Sequence, residues 1–211
     1  MAVFEIPSYK LVQCVFQPVE SVGRARIGGG TSLALTETMD TVFRVDVQTI
    51  PLAPALRAAW RAWRGRLRGG LDQFSLYDVT KKNPLAYPFA TASTDISGSW
   101  GGTATVTSLG ASGALGLSGL PANYIFSEGD YIALEEGGKI DLYQVATTIT
   151  ASGGGVVTVS VRPFLRTGLF TTSAVARIWR PKATFVLEPG SWSESAGVLP
   201  SPISFSGIQR V

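Results

Sequence analysis

The sequence contains no histidine and a single cysteine, Cys14, and both shortages narrow the chemistry open to it. Histidine is the commonest general base and metal ligand near neutral pH, so Ser-His and Cys-His catalytic pairs are excluded. One cysteine excludes an internal disulfide framework and favours assembly in a reducing compartment. Because Cys14 lies in an apolar segment, residues 11–16, we expect a buried strand thiol rather than a nucleophile.

Charge is also scarce: charged residues make up 16% of the 211 residues, against 45% apolar residues. A surface with so few charges is either neutral or buried against partners. The net charge of +3 is too small to indicate nucleic-acid binding, so we expect no sequence-specific nucleic-acid partner. No apolar run reaches the length of a membrane span, and the first residues lack the features of a signal peptide. We therefore expect a chain without a membrane span that is made in the cytoplasm.

Motifs for cofactors, metals and catalysis are missing as well. The glycine runs at 28–30 and 153–155 match neither a P-loop nor a dinucleotide fingerprint, and hairpin turns explain both. The acidic residues at 128–130 and 135–136 lack EF-hand spacing and are interpreted as solvated turns rather than a metal site. No pattern pairs two carboxylates across a cleft as glycosidases do. We expect no catalytic residue, no metal, no cofactor and no enzymatic activity.

One stretch has a clear helical period, and it predicts a helix over residues 53–68. Pro54 suits the first turn, and Gly69-Gly70 supplies a C-terminal stop. At about 100° per residue, four apolar side chains stay within roughly 60° of arc. We expect this packing seam to press on a sheet. The seam consists of Leu56, Trp60, Trp63 and Leu67.

A second stripe of the same helix carries four arginines: Arg57, Arg61, Arg64 and Arg68. One interpretation is a solvated face of a helix that covers a sheet. The other is an arginine row that faces another subunit or nucleic acid. Like charges at this spacing repel by a few tenths of a kcal/mol per pair, about 0.2–0.5, so an acidic partner would be favourable. We treat the four arginines as a candidate subunit interface.

The remaining pattern is that of short β-strands. Before the helix we predict strands at 9–17, 21–27 and 41–50, with Pro18 ending the first and a possible short strand at 32–36. A strand at 73–78 follows the helix. Glycine-separated strands at 103–108, 128–134, 140–149 and 156–162 predict a small antiparallel barrel, whereas 110–120 shows little strand propensity. Three closing strands are predicted at 174–179, 183–187 and 203–208.

These elements predict a mainly β chain: a β-sandwich or barrel with one covering α-helix, plus an inserted small antiparallel β-barrel module. The first domain comprises residues 1–94 and 176–211, and the inserted module comprises 95–175. A plain two-domain chain is the alternative. Trp100, in the glycine-rich linker, is expected to anchor the two modules together or to contact a ligand.

Three local patterns resemble those of the distal tail proteins of long-tailed, siphovirus-type phages, a family with a tail-tube-like fold. The first is the seam with its Arg-Gly-Gly ending, followed by 74–78. The second joins 126–132 with 161–165, and the third is the closing stretch 202–208.

The resemblance implies a structural virion protein of the tail tip, assembled in the host cytoplasm. Such proteins form a hexameric ring that joins the tail-tube protein to the tail hub protein of the baseplate. Their inserted module points outward, in some members toward a receptor-binding protein or host carbohydrate. The resemblance supplies no catalytic motif.

Two rival functions follow from the same patterns. One is another phage part, a tail-tube or head–tail joining protein. The other is a carbohydrate-binding or adhesive β module, which needs exposed aromatic residues in the middle segment. The candidates are Tyr124, Phe126, Tyr131 and Tyr143.

Overall fold

The computed structural model describes residues 2–26, 33–195 and 199–211, and over these residues the protein is mainly β with one α-helix, as predicted. The helix α1 spans Pro54–Arg66. The strands are β1 Val3–Glu5, β2 Leu11–Arg26, β3 Leu33–Thr49, β4 Gln73–Tyr77, β5 Thr103–Gly110, β6 Ala114–Ser118, β7 Ile125–Phe126, β8 Tyr131–Glu136, β9 Lys139–Val145, β10 Ile149–Thr150, β11 Val157–Arg162, β12 Val175–Arg177, β13 Lys182–Leu187, β14 Ser193–Glu194 and β15 Ile203–Gln209.

Strands from both ends of the chain form one open sheet. Its order is β1-β4-β13-β15-β3-β2, with β14 paired to β15. The β1–β4 pair is parallel, and the other neighbours are antiparallel. Strand β3 shows the predicted alternation: Phe43, Val45 and Val47 are buried, whereas Arg44 and Asp46 lie on the opposite, half-exposed face. One face of the sheet therefore carries the core.

The helix covers part of that apolar face. Trp60 and Trp63 are buried and contact Phe205, and the Trp63 ring also meets Phe74 edge-on at 5.4 Å between centroids. Leu67 is buried and Leu56 is half-buried. The helix begins at Pro54 and ends before the predicted residue 68, because a 3-10 turn at Arg68–Gly70 takes over there.

The middle of the chain forms a closed six-stranded barrel in the order β11-β6-β5-β12-β8-β9. Strand β6 was not predicted. Its alternate residues Leu115 and Leu117 are fully buried, but Gly116 lies so close to Thr107 and Ser108 that a Cβ there would clash. This close approach requires a glycine, and glycine has a low strand propensity. The sequence pattern of this short segment therefore did not predict a strand.

The barrel wall covers the rest of the apolar sheet face. Tyr131, Ala133 and Leu142 of β8 and β9 are buried in the same cluster as Phe16 and Phe43 of the sheet. The Tyr131 ring meets Phe43 edge-on at 5.9 Å. The helix and the barrel wall therefore cover different parts of the same apolar face of the sheet.

Two predicted boundaries, one of the inserted module and one of a strand, differ from the structure. All three residues of β12 pair with β5 and β8 inside the barrel, so the proposed boundary at residue 175 cuts into a barrel strand. Strand β2 also continues through Pro18, which was expected to end it. The turn predicted at 28–30 lies outside the described residues.

Candidate assembly surface

The long β2–β3 hairpin reaches beyond the sheet. Strand β15 pairs with β3 only from Arg44 to Gln48. Farther along, residues 21–26 pair with residues 33–39, and among the described residues these two stretches pair only with each other. At about 3.4 Å per residue, this two-stranded ribbon extends about 20 Å past the sheet. We call residues 21–26 and 33–39 the arm, and residues 18–20 and 40–43 its root.

Side chains from the barrel and from β15 hold the root on the β3 side. The backbone N–H of Phe43 donates to Gln209 Oε1 at 2.9 Å. The Arg166 Nη2 group donates to the carbonyl of Thr41 at 3.1 Å, and Arg166 Nε lies 3.4 Å from Asp40. Beyond the last residue pair of β15 and β3, two side chains thus bond the backbone groups of β3 in place of a strand.

Asp141 of β9 ties these contacts to the barrel. Its carboxylate accepts hydrogen bonds from Gln209 Nε2 at 2.8 Å and from the Tyr143 hydroxyl at 2.7 Å. Arg166 Nη1 lies 3.4 Å away. The side chain is 1% exposed, and burial raises the pKa of the Asp141 carboxyl, with Arg166 acting in the opposite direction. A buried charge of this kind requires its partners, so the network fixes the root against the barrel.

Sequence analysis did not single out Asp141, Arg166 or Gln209. The available signal was a charged residue inside the apolar pattern of a predicted strand, Ile140-Asp-Leu-Tyr143. A carboxylate at such a position is costly unless it is paired. Its partners, which lie 25 and 68 residues farther along the chain, become evident only in the fold.

Three arginines of the helix stripe bind groups of the same chain. Arg57 is 5% exposed and donates to Ser201 Oγ at 2.9 Å. Arg61 forms a two-pronged pair with Glu194, and this contact holds the pKa of that carboxyl below its usual range. Arg68 pairs with Asp72 at 2.6 Å.

The fourth, Arg64, is exposed and its guanidinium lies 5.1 Å from the centre of the Trp192 ring. The stripe therefore holds the segment that leads into β15, and acidic partners exist within the chain for Arg61 and Arg68. The contact of the exposed side of the stripe with a neighbouring subunit stays a prediction.

The aromatic residues considered for sugar binding are buried. Tyr124, Phe126 and Tyr143 are fully buried in the barrel, and Tyr131 is 7% exposed against the sheet. These four side chains offer no exposed platform. Trp100, expected to anchor the two modules together or to contact a ligand, packs in the barrel core against Tyr124 and donates its Nε1–H to the carbonyl of Thr103.

The acidic turns are also engaged within the chain. Asp130 is buried, accepts hydrogen bonds from two backbone N–H groups, and has its pKa raised by that burial, so it is not the solvated turn residue that was expected. Glu135 pairs with Arg177, and Glu136 accepts two bonds from Thr171 at 2.6 Å. In the described ranges, no three His, Cys, Asp or Glu side chains gather as a metal site requires.

No protein-family model matches the chain, and no curated protein matches it. Within the described part of the chain, no helix has the length and apolar character needed to cross a membrane.

Proposed function

We propose that this protein is a structural subunit of a phage tail tip, and that six copies form a ring joining the tail tube to the hub of the baseplate. The observation that carries the proposal is the arm. The resemblance of the sequence to distal tail proteins supplies the place of the ring, and its site of action is then the virion, with assembly in the host cytoplasm.

The arm supports assembly because a two-stranded ribbon is marginally stable by itself in water. Among the described residues no other strand pairs with its outer edges, and the backbone N–H and C=O groups of such edges favour addition of another strand. A network of buried polar contacts nevertheless holds its root in a fixed direction. A ribbon with a fixed direction and such edges is suited to pairing with a neighbouring copy. Repeated head-to-tail contacts of one kind form a ring when the rotation between copies closes, and an open filament when it does not.

The barrel favours a ring over a tube. It adds a bulky closed body of residues 103–177 to each subunit. In a tube, rings stack many times, and each would have to accommodate this body. A single terminal ring leaves room for it, and outward-facing barrels could then meet the hub or a receptor-binding protein.

The experiment compares the full chain with an arm-deleted variant in which residues 22–38 are replaced by Asn-Gly, a pair suited to a two-residue hairpin turn. We expect the full chain to give six-membered rings by native mass spectrometry and negative-stain electron microscopy, and the variant to stay a folded monomer. Phe89→Ser serves as the control, because Phe89 is 95% exposed and lies in a loop that is not part of the arm, and it should assemble normally. Rings from the deleted variant, or long tubes from the full chain, would refute the proposal.

A further inference from the structure

Addition of a strand requires free backbone N–H and C=O groups, and on both edges of the arm's root such groups are occupied or missing. On the β3 edge, the Phe43 N–H is occupied by Gln209 and the Thr41 carbonyl by Arg166. A second chain that approached this edge would have to displace the buried Gln209 side chain at one position and the Arg166 side chain, which is 13% exposed, at the other. The edge beside the root is thus closed by side-chain hydrogen bonds.

On the β2 edge the closing residue is Pro18, which pairs with Phe43. In an antiparallel ladder, opposed residues direct their N–H and C=O groups either both toward or both away from each other. The Phe43 N–H points away from β2, toward Gln209. The nitrogen of Pro18 therefore points to the outer edge, where it has no hydrogen to donate.

Irregular pairing follows directly after Pro18. The register between β2 and β3 shifts between Val19 and Ser21 and again between Ser21 and Val22. Such bulges twist a strand locally and interrupt a flat edge, which is one way in which proteins block pairing by other chains. Beyond them, pairing is regular from Gly23–Thr36 to Arg26–Leu33.

We propose that the root is a double seal that confines strand pairing between copies of this chain to the arm. The partner is a second copy, and the docking surface is the backbone edge of residues 21–26 and 33–39. This inference rests on the proposed ring and adds where its contact begins. The seal prevents a neighbour from sliding past the root, where it would add a strand to the sheet in a wrong register.

The test is hydrogen–deuterium exchange of the full chain as a dilute monomer and as an assembled ring. Assembly should slow exchange of amides at 21–26 and 33–39 by about tenfold or more, and change those at 11–17 by less than about twofold. In Pro18→Val, which restores an outward N–H, protection on assembly should extend into residues 14–20, and particles should become heterogeneous. Pro51→Val is the control, because Pro51 is exposed and lies outside the strands.

Each result is decisive. Rings with equal new protection at 11–17, or a Pro18→Val ring indistinguishable from the wild-type ring, would overturn the seal while leaving the ring itself intact. A full chain that stays monomeric at every concentration, with no new arm protection, would overturn both the ring and the seal.

Discussion

Removing Arg166 should expose how strongly the buried network stabilises the junction between barrel and arm. Arg166→Met keeps an unbranched side chain but leaves the Asp141 carboxylate, 1% exposed, without its cation. Breaking a buried ion pair from one side costs about 3–5 kcal/mol. Because Asp141 keeps hydrogen bonds from Gln209, Tyr143 and its neighbouring backbone, we expect about 3 kcal/mol at the lower end. For a chain of this size, the melting temperature should fall by about 6–12 °C.

The loss should depend on pH in a defined direction. Burial raises the pKa of folded Asp141 above its unfolded value of about 3.9, and removing the Arg166 charge raises it further. A carboxyl with a raised folded pKa binds its proton more tightly in the native state, so stability falls as pH rises through that window. The loss is therefore complete above the folded pKa and shrinks as pH approaches the unfolded value.

Urea unfolding at about pH 8 and at about pH 4, close to the unfolded pKa of the Asp141 carboxyl, measures both effects. The double variant Asp141→Asn with Arg166→Met should recover most of the stability, because no buried charge remains. Arg162→Met is the matched control: Arg162 is exposed and packs on Phe164, so its replacement should change stability by less than about 0.5 kcal/mol. An equal loss at both pH values, or a double variant as unstable as the single one, would refute the reasoning.

Two further substitutions test the packing of the helix on the sheet and the close backbone approach in the barrel. Trp63→Ala should lower the free energy of unfolding by about 3–5 kcal/mol, because Trp63 is 3% exposed under the helix. Leu71→Ala is the control and should cost under about 0.5 kcal/mol, because the Leu71 side chain is 60% exposed. Similar losses from the two variants would contradict the seam as the helix contact. Gly155→Ala should destabilise the barrel by about 2 kcal/mol or more in thermal unfolding, since Gly155 has φ +70° and a Cβ there would clash with the Leu120 carbonyl. Gly153→Ala is the control and should be nearly neutral, because a Cβ at Gly153 meets no atom within 4 Å. A neutral Gly155→Ala would argue against this close approach.

The elements that sequence analysis identified are those with a strong local period. Alternation at 41–50 indicated the buried and exposed faces of β3, and the Leu56–Trp60–Trp63–Leu67 spacing indicated the helix. The mainly β class with one helix is confirmed. These features are local, so the sequence pattern is sufficient to identify them.

The features that sequence analysis missed depend on tertiary context. A proline interrupts a central strand but is tolerated in an edge strand where its nitrogen faces outward, as at Pro18. The sequence does not show which strand lies at an edge. Gly116 in β6 is required by a close approach to β5, which propensity counts as a break. The Asp141–Arg166–Gln209 network joins residues far apart in the chain, so no spacing could indicate it.

The central claim, a ring at the tail tip, is tested most directly by immunogold electron microscopy of the phage particles with antiserum against this chain. The account predicts label confined to the tail end opposite the capsid. Label along the shaft or at the neck, or particles that carry none, would contradict it.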